Sequence, residues 1–286
     1  MADLYTPAKV WVNDTEHGGQ WAGINHPDSG ARFERELPTG EHPFQLHSLA
    51  TPNGQKVTIM FEELLAAGVK EAEYDAYTIK IGESDQFSSG FVAINPNSKI
   101  PALVDNSANE AVNVFESGNI LFYLAEKFGL FLPHQGKPRT EVMNWLFWLQ
   151  GSAPYLGGGF GHFYAYAPKK FEYPINRFTM EAKRQLDVLD KRLTDNAYLG
   201  GANYSIADIA TWPWYGNLVL GRLYNAAEFL DVASYKNVIR WAKVIEAREA
   251  VKRGCIVNKT WGEEWEQLAE RHSAADIDRV LAKQPK

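Results

Sequence analysis

The chain has 286 residues, a net charge of −6, 45% apolar residues and 22% charged residues. That is the balance of a folded globule with room for one large domain or two ordinary ones. It argues against a sequence-independent grip on nucleic acid, which needs basic patches, and no apolar run reaches the roughly 20 residues of a membrane helix. The first residues, MADLYTPAKVWVND, lack the charged, apolar and small-residue order of a signal peptide, so a cytoplasmic protein is expected. The one cysteine, Cys255, excludes an internal disulfide framework. Beside Lys252 and Arg253 it reads either as an incidental reduced thiol or as one with a lowered pKa. The seven histidines show no ligand spacing, so no metal is expected.

Residues 1–42 are rich in Gly, Pro, Asn and Asp without periodicity and read as an irregular extension. PFQLHSLA then predicts a strand that runs into the turn Thr51-Pro52-Asn53-Gly54. Val57, Met60, Phe61, Leu64 and Leu65 recur at helical spacing until Gly68. AEYDAYTIKI predicts a second strand, GESDQFSSGF a connection, and INPNSKIPALVD a break followed by a strand. NVFESGNILFYLAEKFG predicts a short strand turning into a helix closed by Gly129. Beyond LFLPHQGKPR the pattern turns helical. TEVMNWLFWLQGSAPYL is one helix. GGGFGHFYAYAP reads as a bend with packing glycines, because it lacks the spacing and preceding strand of a phosphate loop. Tyr164 and Tyr166 there read as core or as lining the mouth of a site. Phe178, Ala182, Leu186, Leu189 and Leu193 form one helical stripe. Ser205 stands three residues before Asp208, as in a helix cap. SYKNVIRWAKVIEAREAVKRG reads as one more helix, and EEWEQLAERHSAADIDRVLAKQ as a charged helical tail on the surface. The expected units are the extension 1–42, an α/β domain 43–130, an all-helical domain 139–258 and the tail 259–286.

Three local features narrow this outline: SKIPAL with Pro101 just before a strand, VFESGNIL with Glu116 and Ser117 at a helix start, and YSIADI. In this order they resemble the cytosolic glutathione transferases, over about Phe44–Asn258. TPNGQKVTIMFEELL, DQFSSGFVAINPNSKIPALVD, NWLFWLQG and GGGFGHFYAYAP look like the nu class, whose relatives include a yeast nitrogen regulator; GINHP in the N-terminal arm extends the likeness. The fold implied is an α/β thioredoxin-like N-terminal domain plus an all-α C-terminal domain.

The resemblance also explains a redox-type turn without sulfur: glutathione supplies the thiol. Thr51 and Asn53 are then the catalytic pair, donating hydrogen bonds to its thiolate beside the positive end of a helix. Pro52 completes the turn. Pro101, if cis, turns the Ile100 backbone toward the tripeptide in a form of strand addition. Glu116 accepts from the γ-glutamyl ammonium and Ser117 binds its carboxylate. Gln86 and Lys99 reach the glycyl end, although Lys99 reads equally as a solvated charge. The nu class implies two glutathiones per active site, with Asn25, Gln150 and Arg177 contacting the second. It also implies a homodimer and the reduction of small disulfides, with organic hydroperoxides as a further substrate. A conventional conjugating transferase and a non-catalytic regulator remain alternatives. The yeast regulator's long Asn/Gln-rich tail has no counterpart here, which favours an enzyme.

Overall fold

The computed structural model describes residues 5–13 and 25–285. Strand β1 (Phe44–Ser48) lies inside a four-stranded sheet of order β2-β1-β3-β4. It pairs in parallel with β2 (Tyr74–Thr78) and antiparallel with β3 (Ala102–Asp105), which pairs with β4 (Val112–Phe115). Leu46 stands opposite both Ala76 and Leu103. All five residues of β1 are buried, so the strand is covered on both faces rather than alternating inside and out. The Ile100–Pro101 peptide bond is cis.

Helix α1 (Pro52–Ala66) leaves the end of β1 at the TPNG turn. Thr51 is its extended N-cap and Pro52 its first residue, where a missing N–H costs nothing. A side chain at Gly54 would collide with the Leu49 carbonyl oxygen, so this close approach needs glycine. The GESDQFSSGF connection contains short 3₁₀ turns and leads into α2 (Ser89–Ile94). Helix α3 (Ser117–Phe128) follows β4 and ends at Gly129 in the left-handed region, φ 65°.

The helical half begins with α4 (Gly136–Pro154). The expected bend after it is instead a π-helical continuation over Tyr155–Tyr166. Its glycines do pack, Gly157 against Trp214 and Gly159 against Phe178. Helix α5 (Glu172–Arg192) buries Ala182, Leu186 and Leu189. Helix α6 (Ile206–Thr211) starts at the expected cap, with the Ser205 N–H donating to Asp208 Oδ2 at 3.1 Å. It runs into a second π-helical segment, Trp212–Gly216, and then the short α7 (Asn217–Val219). The single helix expected over 234–254 is two, α8 (Lys236–Glu246) and α9 (Glu249–Ile256), broken where Arg248 turns extended.

The C-terminal tail is not the surface helix its charge suggests. Helix α10 (Ala274–Leu281) forms, but the residues before it dock on the sheet edge, where Arg271 bridges to Ala76. Arg271 is fully buried, pairing with Glu62 at 3.2 Å and Glu73 at 2.8 Å. Helix α1 is thus enclosed between the sheet and α9. The Thr58 hydroxyl donates to the Gly254 carbonyl at 2.7 Å, and Arg248 makes two bonds to Glu63 at 2.6 and 2.7 Å.

Candidate active site

The start of α1 borders three adjoining cavities. The first, about 350 Å³, lies between the TPNG turn, the segment around the cis peptide and the start of α3. The second, about 530 Å³, lies between the same turn, the end of α4 and the two π-helical segments. Of the twelve residues expected in the site, eleven line one or both: Asn25, Thr51, Pro52, Asn53, Gln86, Lys99, Ile100, Pro101, Glu116, Ser117 and Gln150. Arg177 does not. It lies on the exposed face of α5, close enough to help hold the Glu181 carboxyl below its ordinary range, behind Arg184 and against burial. The third and largest cavity, about 950 Å³, opens on the other side of Thr51 and Pro52 against Arg222, Lys259 and Trp261. Tyr166 lines this and the second cavity, whereas Tyr164, half-buried against the core, stacks between Phe160 and Phe229.

Several features fit a polar, extended, anionic ligand. Pro52 has no N–H, and the following amides of the first turn lack intrahelical acceptors, so they face the turn as donors. The Thr51 hydroxyl does not cap the helix. Asn53 Oδ1 accepts from the Trp214 indole at 2.9 Å, which leaves the amide nitrogen as the end facing away from that ring. Gln86 Oε1, Ser98 Oγ and Gln150 Nε2 are buried without a hydrogen-bond partner among the described residues. Such orphaned atoms cost free energy unless something fills the site. Glu116 holds the start of α3 at φ 67°, strain of the kind found at functional positions. Its carboxylate accepts weakly from Asn97 at 3.5 Å.

The sequence reading missed three groups. Trp214 lines both smaller cavities. Ser98, at φ 52° and with its buried hydroxyl unpartnered among the described residues, lines the first. Lys56 is fully buried behind Ser117, its ammonium donating to the Ser117 hydroxyl at 3.2 Å. Burial pushes the Lys56 pKa down to about 7, with Glu116 pulling the other way. Among the described residues no cluster suited to a metal ion occurs, and no helix is long and apolar enough to cross a membrane. Cys255 lies outside the cavities. Burial pushes its thiol up to about 12, and its neighbours Lys252 and Arg253 are engaged by Glu249 and by Glu62 and Asp278.

A cradle of helix-terminal amides, a hydroxyl and an oriented amide beneath a cis-proline segment defines the thioredoxin-like half of a glutathione transferase. Two family models match, the glutathione S-transferase N-terminal domain at residues 55–126 and the C-terminal domain at 172–243. The chain belongs to this family. It is 66% identical over 276 residues to the disulfide-bond oxidoreductase YghU of Escherichia coli K12, covering 96% of each chain. Among solved structures it resembles glutathione transferase YghU from Streptococcus pneumoniae, complexed with glutathione, at 60% identity and a TM-score of 0.88, covering 90% of this chain and 99% of that one. It also resembles a Burkholderia graminis glutathione transferase with two glutathione molecules bound per subunit, at 38% identity and a TM-score of 0.68, covering 75% and 88%.

Proposed function

We propose that the protein is a nu-class, glutathione-dependent disulfide-bond reductase that binds two glutathiones side by side. The observation that carries this reading is the pair of adjoining cavities sharing Thr51, Asn53, Glu116 and Ser117. The first suits one extended tripeptide along the Ile100 backbone. Ser117 and Glu116 take its γ-glutamyl end, and Gln86 and Lys99 its glycyl end. The second, with Asn25 and Gln150 on its walls, suits another. Arg177 is not among the groups this reading uses.

In the reaction, one glutathione thiolate, held by Thr51, Asn53 and the α1 terminus, attacks one sulfur of the substrate disulfide. A glutathione–substrate mixed disulfide forms and the first substrate thiolate leaves. The second glutathione thiolate attacks the glutathionyl sulfur, releasing glutathione disulfide and the second substrate thiolate; both leaving groups take up protons. Lowering the pKa of the attacking thiol raises its thiolate fraction, and access decides which sulfur is struck. The largest cavity gives the disulfide a path to the turn from the third side.

We place the thioredoxin-like domain at 43–130, the helical domain at 139–258 and the protein in the cytoplasm. The same reading makes it a homodimer, supported by an apolar groove between α3 and α4 lined by Phe122, Met143 and Leu146, with Phe147 68% exposed beside it. Calorimetric titration with reduced glutathione is expected to give two bound per chain, on a sample whose light scattering reads two chains. One glutathione per chain at saturation would favour a conventional conjugating transferase.

A further inference from the structure

We propose that Trp214 is a positioning residue for the sulfur site: its indole N–H holds the Asn53 side-chain oxygen and so turns the Asn53 amide N–H groups toward the glutathione sulfur. This rests on the reading of Asn53 as a thiolate donor. The indole nitrogen can only donate, and an amide has one oxygen that accepts. The 2.9 Å bond between them therefore decides which way round the amide sits. An untethered asparagine could present its oxygen instead, and an oxygen facing a thiolate repels it. The tether converts a side chain that is donor and acceptor by turns into a standing donor, the kind of preorganisation that stabilises charge in a site without rearrangement.

The indole is itself held from both sides. Trp212 and Tyr215, its neighbours in the π-helical segment, are fully buried. The Trp212 indole donates to the Ala242 carbonyl at 2.9 Å, and the Tyr215 hydroxyl to Gln185 Oε1 at 2.6 Å. Across the cleft, Gly157 lies against the ring; a side chain there would meet Trp214 Cη2 at 2.6 Å. The two π-helical segments thus meet at this indole, and irregular helices of this type occur often at functional sites.

The test is Trp214→Phe, which keeps an aromatic wall and removes the donor. With two glutathiones still bound, kcat/KM for a small neutral disulfide at neutral pH is expected to fall about five- to tenfold, the scale of one charge-assisted hydrogen bond partly replaced by water. The bound thiol, followed by thiolate absorbance, is expected to titrate roughly half to one unit higher. The rate deficit should close as pH passes that value. In an Asn53→Ala background the same change should have little further effect, since the two act through one amide. An unchanged thiol titration and pH profile, or losses that simply add to those of Asn53→Ala, would overturn the proposal. If Trp214→Phe lowers the unfolding midpoint, benzothienylalanine placed at position 214 keeps the ring shape and lacks the N–H, and the same outcomes apply. A wild-type chain that binds glutathione but reduces no disulfide overturns the reductase reading alone, because the thiol titration still reads the indole. One that binds no glutathione overturns both.

Discussion

Two fully buried cations meet at α1, Lys56 on the helix itself and Arg271 packed against it, and their surroundings are opposite. Arg271, at the back of the helix, meets Glu62 and Glu73 and donates to the Tyr74 carbonyl at 2.6 Å, with its guanidinium 3.9 Å from the centre of the Tyr74 ring. Lys56, at the front, donates among the described residues only to the Ser117 hydroxyl. Of the charged groups among the described residues, Glu116 at the start of α3 is the one that acts on it. Glu62 and Glu63 on its own helix face Arg253, Arg271 and Arg248; Arg253 on α9 is engaged by Glu62 and Asp278; Asp208 on α6 is taken by Leu199, Ser205 and Trp241. A buried charge is tolerated when it is paired and is costly when it is not. The paired cation is an anchor that stitches the C-terminal tail to the sheet. The unpaired one lies directly behind the proposed γ-glutamyl site, and on that proposal an incoming carboxylate supplies the missing counter-charge.

The largest effect should come from removing the anchor. Arg271→Leu leaves Glu62 buried without one of its partners and frees the tail from the sheet edge. An unfolding free energy lower by about 3–5 kcal/mol is expected from denaturant titration. Glutathione affinity per folded chain should be nearly unchanged, because Arg271 lies away from the cleft. A substitution that leaves stability within 1 kcal/mol would remove the distinction between the two cations.

Lys56→Met should behave in the reverse way. The fold loses no partnered charge, and stability at neutral pH should stay the same or rise. Glutathione binding should weaken by about 1.5–3 kcal/mol, the worth of hydrogen bonding to a charged group. The pH dependence carries a definite sign. The folded pKa of Lys56, about 7, lies below the unfolded value, so between about pH 7 and 10.5 the unfolded chain holds more protons. Stability from this group therefore rises with pH across that window, and the cost of the buried charge is present in full below it. S-methylglutathione has no thiol to titrate, so it isolates the lysine. Its binding above pH 7 should take up a proton, seen as a calorimetric heat that varies with the buffer, and Lys56→Met should abolish that dependence. A wild-type heat independent of buffer would detach Lys56 from the ligand site.

The comparison also shows why part of the site could be read in advance and part could not. The TPNG turn, Pro101 and the Glu116-Ser117 pair are local: each is set by a few adjacent residues, and each was legible in order along the chain. Lys56 was not. Beside the apolar stripe of α1 a lysine reads as solvent-facing, and its burial comes from elements that meet α1 only in the folded chain. The same holds for Glu62 and Glu63, whose arginine partners lie 185 to 209 residues away along the chain. Trp214 sits in WPWYG, a segment with no local signal of a site; the π-helical geometry that aims the indole arises from packing. Arg177 is a different case: a close match of segment suggested a ligand contact, and the residue lies on the exposed face of α5 outside the lining of the two smaller cavities. The tail misled because a run of charges usually marks a solvated face, and here one of them is an anchor.

The smallest effect is expected at Cys255, which sharpens the comparison from a third side. It lies on α9, the helix packed against α1, and it too has cations near it, Arg222 and Lys259. Those cations pull its pKa down, and burial outweighs them, leaving the thiol at about 12. At neutral pH almost none of it is thiolate, and only the thiolate attacks a disulfide. Cation proximity alone therefore does not make a reactive group in this fold; what matters is whether the buried charge faces a site that a ligand can complete. Cys255→Ser is expected to keep disulfide reduction within about twofold of wild type, a change below roughly 0.4 kcal/mol in transition-state terms. A loss of activity of tenfold or more, with glutathione stoichiometry and unfolding midpoint unchanged, would show that the protein carries its own nucleophile and that the second bound glutathione is not the source of the second thiol.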